Sequence, residues 1–222
     1  MPRVPYRQLV FTIPRRLRKC FLFDRSLYGE LCRAAYASTR DFLRELVPGG
    51  FTKLKRAVPA MVVVPQSSAD LLVHNPHAHA LVSLGVFLRD GSFHSMEDVD
   101  FSGLEETFRE RVFDFMIKKG KITSEVADGM RAWPHSGFGL DFRRKLEADD
   151  RKGLEGLLAY MDRPPVSLRR LTYQSEDGLV HYQGINRLIR LWWCKPSPSF
   201  LPRGCLLPSG SREGNPSPSG LL

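Results

Sequence analysis

The chain has 222 residues, 42% of them hydrophobic, and a formal net charge of +9 with a pI near 9.6. This length suffices for one domain with a real core, and the basic charge favours an anionic partner such as nucleic acid. No apolar run approaches the length of a membrane span or a signal-peptide core, which argues against both. The four cysteines lack CxxC and zinc-finger spacing, so neither a disulfide framework nor a structural zinc site is indicated and a cytoplasmic protein is expected.

Strand and helix signals alternate through the first 185 residues. In chain order the sequence first predicts a strand over 6–14, a helix over 15–46 and a short strand over 57–66. A hairpin or meander follows over 71–94, with a turn at 89–92, and then two helices over 101–119 and 122–133. The last predicted elements are a strand over 135–143, a helix over 149–161 and a hairpin over 168–183. Beyond these elements Pro, Ser and Gly dominate without any period, which predicts a disordered or aberrant tail over 186–222. The predicted fold class is α+β, an antiparallel sheet covered by helices, in one domain over 1–185.

Charge is distributed unevenly along the chain. Residues 1–56 carry 13 Lys and Arg against 4 Asp and Glu, residues 57–150 carry 10 against 15, and residues 151–222 carry 10 against 5. Two basic blocks therefore flank an acidic middle segment. An acidic middle suits a cation site, and basic flanks suit a phosphate backbone that runs past it.

Three of the six histidines lie within six residues, in the stretch HNPHAH that begins the predicted hairpin. Because side chains two apart in a strand point to the same face, His77 and His79 stand side by side and can chelate one divalent cation. Pro76 interrupts this alternation, so His74 is expected to have a structural or supporting role. The same spacing also fits two polar residues on a solvated strand face, and the pair alone is a weak signal.

A tyrosine near the end of a predicted helix supplies a second signal. Tyr160 is followed by Arg163 and by a proline pair that stops the helix. A neutral phenol is a poor nucleophile, but a nearby cation or arginine stabilises the phenolate, and a metal polarises the phosphoryl oxygen under attack. The product would be a phosphotyrosine bond, which conserves the energy of the phosphodiester and can be reversed. The alternative is a tyrosine packed on the core with its hydroxyl at the surface.

With both motifs present, the chain resembles the rolling-circle transposases of bacterial insertion sequences, which belong to the HUH (His–hydrophobic–His) superfamily of single-strand endonucleases. The stretches PYRQLVFTIPRRLR, HNPHAHALVSLGVF, HSGFGLDFR and GLLAYMDRPPVSLRRLTY look like successive family blocks in the family order, and the resemblance runs from Tyr6 to Tyr182. It implies a ferredoxin- or RRM-like catalytic domain that acts on single-stranded or hairpin DNA at transposon ends.

The resemblance also implies roles for particular residues. His77 and His79 would hold Mg²⁺ or Mn²⁺, and Tyr160 would attack a DNA phosphate to leave a 5′-phosphotyrosine and a free 3′-hydroxyl. Because imidazole is softer than the ligands these hard ions usually take, a third oxygen donor is expected, with Gln66 and Asp141 as candidates.

Basic side chains on both sides of the motifs are expected to track the DNA backbone. An ordinary solvated face explains each run equally well when it is taken alone. The residues concerned are Arg15, Arg16, Arg18, Arg163, Arg169 and Arg170.

The chain also departs from the family pattern. Family members usually carry an amino-terminal cysteine-rich zinc-binding region, which is absent here, and the pattern stops after VHYQGINR. Some relatives have two tyrosines one helical turn apart, but Gly156 and Pro164 stand one turn from Tyr160, so only the single-tyrosine version is possible. These departures lead us to expect a transposase fragment or remnant.

The primary hypothesis is a metal-dependent DNA-nicking and strand-transfer transposase. The first alternative is a catalytically inactive remnant that only binds DNA. The second is a metal-dependent phosphodiesterase that cuts without a tyrosine intermediate.

Overall fold

The computed structural model describes residues 1–47, 57–68, 73–96, 98–164, 166–176 and 179–183, and the backbone of 188–192. The helices are α1 (Arg15–Phe23), α2 (Leu27–Glu45), α3 (Leu104–Lys118), α4 (Ser124–Arg131) and α5 (Arg151–Met161). The strands are β1 (Tyr6–Thr12), β2 (Met61–Ser68), β3 (His74–Ser83), β4 (Gly85–Phe87), β5 (Phe93–Ser95), β6 (Gly139–Asp141), β7 (Lys145–Leu146), β8 (Leu171–Gln174), β9 (Leu179–Gln183) and β10 (Leu188–Trp192). The predicted α+β class is confirmed. Among the described helices, none is both long and apolar enough to cross a membrane.

The described residues fall into two compact units, one within 1–69 and 73–165 and the other including the described residues from 166 onward. The larger unit contains an antiparallel sheet with strand order β2-β3-β1-β6, and β7 also pairs with β1. β3 therefore lies between β2 and β1. The side chains of β3 therefore have neighbours from a paired strand on each side.

The two faces of this sheet have different partners, as the period-two alternation of a strand requires. One face presents Leu9, Phe11, Ala78 and Ala80 to the main hydrophobic core, which also includes residues of α1, α2, α3 and α4. The small alanines of β3 leave room for the helices to approach the sheet. The opposite face carries a second, smaller core: Val4, Tyr6, Leu81, Leu146, Leu157 and Met161. Because two of these residues belong to α5, this helix covers the opposite face.

The single helix predicted over 15–46 is wrong, because the chain forms two helices with a break at Asp24. Asp24 has an extended backbone, with φ −137° and ψ 96°. Its Oδ1 accepts hydrogen bonds from the Ser26 backbone N–H at 3.0 Å and from the Ser26 hydroxyl at 2.6 Å. This local turn competes with the helical hydrogen-bond pattern, and apolar periodicity does not register it.

The region predicted as a hairpin or meander over 71–94 also divides differently. β3 pairs with β1 and β2, whereas β4 pairs with β5 in a separate hairpin. The change of direction occurs at Gly85, which has φ 148°, and a β-carbon there would collide with the His94 carbonyl oxygen. Only glycine fits such a position without strain. The turn predicted at 89–92 is present, where Leu88 N–H donates to the Ser92 carbonyl.

The second unit contains the antiparallel sheet β8-β9-β10, preceded by a 3₁₀ turn at Leu168–Arg170. β10 extends regular structure past residue 185, where the sequence predicted the tail to begin. Residues 193–222 lie outside the described residues, so the disorder predicted there stays a prediction.

Asp41 on α2 binds three arginines, one of them from α3. Its carboxylate accepts from Arg40 Nε at 2.7 Å, Arg111 Nη2 at 2.6 Å and Arg44 Nη1 at 3.5 Å. Burial alone would raise the pKa of Asp41, but the hydrogen bond to Arg40 and the charges of the three arginines lower it.

We expect Asp41→Asn to lower the free energy of unfolding by about 1–2 kcal/mol at pH 7, because the arginines lose their counter-charge. A lowered carboxylate pKa contributes stability above the unfolded value of about 3.9, and this contribution is lost as the pH falls through the folded value. Urea unfolding at pH 7 and near pH 3 measures both effects. The difference in unfolding free energy between variant and parent should be smaller near pH 3 than at pH 7. An equal difference at both pH values would contradict a stabilising role for the ionised Asp41 carboxylate.

Candidate functional site

His77 and His79 lie side by side in the middle of the sheet and face away from the main core. His77 is registered with Thr12 of β1 and Gln66 of β2, and His79 with Val10 and Val64. Both side chains are buried, with exposed fractions of 8% and 5%. Their Nε2 atoms are 3.1 Å apart. The strand alternation therefore brings the two imidazoles together at one point on this face.

The two imidazoles belong to a directed chain of hydrogen bonds. His77 Nδ1–H donates to the Asn75 carbonyl at 2.6 Å, and this oxygen can only accept. In the neutral ring, His77 Nε2 is then an acceptor, so His79 Nε2–H donates to it. His79 Nδ1 must in turn accept, and the Gln8 amide Nε2 lies 3.4 Å away to donate. The backbone carbonyl thus fixes which nitrogen of each ring carries the proton.

Both imidazoles are held neutral. Burial lowers the pKa of His77, the nearby Arg18 charge lowers it further, and the bond to Asn75 opposes these effects. Burial, followed by the charge of His77, lowers the pKa of His79 to about 4. At pH 7 each ring therefore retains a nitrogen lone pair, which is the form that binds metal ions.

The separation of the Nε2 atoms fits two ligands of one cation. Two atoms at right angles around Mg²⁺, each about 2.1 Å from it, lie about 3 Å apart. The observed 3.1 Å matches this arrangement. Within the described part of the chain, however, no group of three or more His, Cys, Asp or Glu side chains is placed to hold a metal. Any third protein ligand among these residues would have to be of another type.

The two candidates for a third ligand occupy different environments. Asp141 is bound by Arg143 through Nε at 3.0 Å and Nη2 at 2.6 Å, and these hydrogen bonds lower its pKa to about 2. Gln66 stands directly across from His77, and its Nε2 donates to the Met161 carbonyl at 3.2 Å. This bond ties β2 to the end of α5 and leaves the amide oxygen of Gln66 for another partner. Gln66 is therefore the better placed of the two.

Tyr160 lies on the same side of the sheet as the histidines. Asp150 begins α5 by accepting from the Gly153 backbone N–H at 2.8 Å, and Leu157 and Met161 fix the helix in the smaller core. Between these anchors Tyr160 keeps 47% of its surface exposed. Its ring centroid is 5.7 Å from that of His79, and the rings are nearly perpendicular at 85°. The fold brings together a phenol and two imidazoles that the sequence places about eighty residues apart.

An open groove of about 610 Å³ runs beside Tyr160 and His79. Its remaining lining comes from β1 and from the β6 region: Val10, Thr12, Gly139, Leu140, Asp141, Phe142 and Arg143. A β-carbon on Gly139 would lie 2.8 Å from Thr12 Oγ1, so the glycine keeps the groove open near the residue opposite His77. The size is typical of a ligand cleft, and the open form suits a segment of a linear polymer.

The basic residues predicted to bind DNA occupy three places. Arg15, Arg16 and Arg18 belong to α1, which follows directly on the end of β1 opposite His77. Arg18 is half-buried and donates from Nε to the Ile13 carbonyl at 3.0 Å, whereas Arg15 and Arg16 are exposed. Arg163 is exposed just after α5, while Arg169 and Arg170 belong to the second unit.

His74 and Gln8 make further hydrogen bonds around the histidine pair. His74 donates from Nε2 to the Arg18 carbonyl at 3.0 Å and so fastens α1 to β3, which fits the supporting role expected for it. Gln8, which contacts His79, has no place in the sequence interpretation. The signal was the alternation Gln8, Val10, Thr12 in β1, which puts a polar side chain on the histidine face, but only the register of β1 against β3 identifies its neighbour.

Comparison with protein families gives one match. A family model described as "Putative transposase" matches residues 61–187, more than half of the chain. The matched segment includes the histidine pair and Tyr160 but excludes β1 and α1. Comparisons with curated proteins and with solved structures found no match.

Proposed function

This chain belongs to the transposase family whose model matches residues 61–187, and from that premise we propose that it nicks and rejoins single-stranded DNA at transposon ends with Tyr160 as the nucleophile. Membership of the family gives a role in DNA transposition and binding to DNA in general. The strand type, the tyrosine chemistry and the use of a divalent metal are our proposal. They extend the family assignment to particular side chains.

In the proposed reaction the Tyr160 phenol oxygen attacks a phosphodiester phosphorus. A new bond forms between phosphorus and the phenol oxygen, and the bond between phosphorus and the 3′-oxygen breaks. The phenol loses its proton to solvent, and the departing 3′-oxygen gains one to become a hydroxyl. The DNA 5′ end then stays on Tyr160 as a phosphotyrosine. Attack by a 3′-hydroxyl on this bond reverses the step and joins strands.

Three side chains on the sheet face that points away from the main core would hold a divalent cation. His77 offers its Nε2 lone pair, His79 would offer its own once its proton has moved from Nε2 to Nδ1, and the Gln66 amide oxygen offers a hard donor. A bound Mg²⁺ or Mn²⁺ would supply Lewis-acid stabilisation of the charge that develops on the phosphoryl oxygens. Arg163 adds a positive charge three residues beyond Tyr160, and the arginines of α1 add others at the end of β1.

One observation carries the proposal, namely the 5.7 Å between the rings of Tyr160 and His79 on the face that also holds His77. The half-exposed Tyr160 lines the groove beside this neutral histidine pair, so a substrate in the groove can reach it. The open groove supports a polymeric substrate, because it gives a strand access to Tyr160 and to His79.

The test uses the full chain with Mn²⁺ and a pool of random-sequence single-stranded oligonucleotides, labelled at either the 5′ or the 3′ end and run on a denaturing gel. The proposed polarity predicts that the 3′-labelled fragment migrates with the protein. The 5′-labelled fragment should be short and free, with a 3′-hydroxyl. Attachment of protein to the 5′-labelled fragment would contradict the polarity.

The same assay separates the alternatives. A salt-sensitive mobility shift on a native gel without any cleavage would indicate a remnant that only binds DNA, and it would refute the proposed activity. Cleavage without attached protein would indicate a phosphodiesterase that uses water as its nucleophile. Either result leaves membership of the transposase family untouched.

Gln8 should orient His79 toward the cation. Without metal, His79 Nδ1 accepts from the Gln8 amide, but use of the Nε2 lone pair requires the proton on Nδ1 and an acceptor at position 8. We expect Gln8→Glu, a permanent acceptor, to bind Mn²⁺ at least as tightly as the parent, and Gln8→Leu to bind it about tenfold more weakly. Calorimetric titration with Mn²⁺ measures this difference, and equal affinities for the two variants would exclude an orienting role.

A further inference from the structure

Helix α1 exposes an aromatic side chain among basic ones. Leu17 and Phe21 form its buried stripe, whereas Phe23 is 89% exposed. A single exposed apolar residue is ordinary on a protein surface, so exposure alone decides nothing. The residues that surround Phe23 on the helix are what set it apart.

The exposed residues of α1 are Arg15, Arg16, Lys19, Leu22 and Phe23, and we call the three basic residues together with Phe23 the α1 face. At about 100° per residue, these four side chains fall within about 100° of arc on the side opposite Leu17 and Phe21. The helix contains no Asp or Glu. Asp24, the nearest carboxylate, is engaged by Lys121 Nζ at 2.9 Å and by the Ser26 hydroxyl at 2.6 Å. The α1 face is therefore positively charged along its length and ends in an aromatic ring.

Helix α1 follows closely on the end of β1 that pairs with His77, although it packs against the main core on the sheet face opposite the histidines. β1 ends with Thr12, opposite His77, and α1 starts three residues later. His74 of β3 holds the helix through the Arg18 carbonyl at 3.0 Å. With a rise of about 1.5 Å per residue, Phe23 lies about 12 Å along the helix axis from Arg15. A DNA strand that passes from the histidine pair round the end of β1 and onto the exposed side of α1 would meet the arginines first and the phenylalanine last.

We infer that the α1 face binds the single-stranded DNA next to the cleaved phosphate, with Arg15, Arg16 and Lys19 on backbone phosphates and Phe23 stacked on an unpaired base. The inference rests on the proposed function, which supplies DNA as the ligand. Basic side chains that follow a backbone, together with an aromatic ring that stacks on a base, are the general means of binding single strands. A duplex would use the basic residues but not the ring, because the faces of its bases are already stacked.

The test measures binding of a fluorescent single-stranded oligothymidine to the full chain by anisotropy, in EDTA so that no cleavage occurs. We expect Phe23→Ala to weaken binding about tenfold with an unchanged dependence on salt, because stacking releases no counterions. Phe23→Trp should bind at least as well as the parent. Lys19→Ala should weaken binding and reduce the salt slope by about 0.7. Leu22→Ala is the matched control, because Leu22 is also exposed at the end of α1 but has no aromatic ring to stack on a base.

Because Phe23 and Leu22 are exposed, both variants should keep the thermal unfolding midpoint of the parent. Single-strand affinity of Phe23→Ala equal to that of the parent would overturn the inference, and so would an equal loss on a duplex of the same length. These results are independent of the adduct assay. If the parent forms adducts and Phe23→Ala binds single strands normally, the inference about the α1 face fails and the proposed function stands. If Phe23→Ala weakens single-strand binding but the parent forms no adducts, the proposed tyrosine chemistry fails and the inference about the α1 face stands.

Discussion

Tyr160→Phe should abolish the covalent protein–DNA adduct, with a loss on the order of a thousandfold or more, because the variant lacks the oxygen that bonds to phosphorus. The ring remains, so its packing beside His79 is retained. The half-exposed side chain contributes little to stability through its hydroxyl. Denaturing gels of the 3′-labelled oligonucleotides measure the adduct, and anisotropy with the same oligonucleotides should show unchanged binding.

Tyr173→Phe provides the matched control for this result. Tyr173 of β8 is 59% exposed and loses the same hydroxyl, but it belongs to the second unit. We expect this variant to form adducts like the parent. If Tyr160→Phe still forms adducts and Tyr173→Phe does not, the nucleophile is Tyr173 of the second unit and not Tyr160. Adducts that persist in both variants would remove these two tyrosines from the reaction.

The second large effect is expected at the histidine pair. Replacement of both His77 and His79 by alanine should lower metal-dependent nicking more than about a hundredfold, because both proposed nitrogen ligands are lost. Mn²⁺ affinity, measured by calorimetric titration without DNA, should fall in parallel. DNA binding in EDTA should persist, since the basic residues of α1 and Arg163 are unchanged.

Two further variants keep this experiment decisive. Both histidines are buried, so the double alanine variant leaves a cavity, and its circular dichroism and thermal midpoint must be compared with those of the parent. His79→Gln removes one imidazole with a smaller change in volume and should still lose most of the Mn²⁺ affinity. His94→Ala, at an exposed position on β5, should lose none. Mn²⁺ affinity that survives in the folded double variant would exclude this pair as the metal ligands.

Local backbone geometry explains which parts of the site were predictable. Side chains two residues apart in a strand point to the same face of the sheet. The adjacency of His77 and His79 therefore followed from their spacing. The helix predicted over 149–161 is likewise present as α5, because its apolar spacing and the proline pair that follows it are local signals. Each of these predictions concerns residues within a few positions of one another.

Contacts between distant segments were beyond such rules. The proximity of Tyr160 to His79 depends on α5 packing against Leu81 through the smaller core, and hydrophobic spacing within α5 does not specify that partner. Gln8 meets His79 only through the register of β1 against β3. The break at Asp24 has another cause, because a side-chain hydrogen bond interrupts a helix whose apolar pattern continues.

The separation of the two hydrophobic cores has a practical consequence. The main core joins the sheet to α1, α2, α3 and α4, whereas Tyr160 owes its position to the small cluster around Leu81, Leu157 and Met161. The contacts that place the Tyr160 phenol therefore differ from the contacts of the main core. Accumulated substitutions in the smaller cluster can displace the phenol while the contacts of the main core remain. A related chain can therefore retain the fold of the main core without retaining the placement of the phenol.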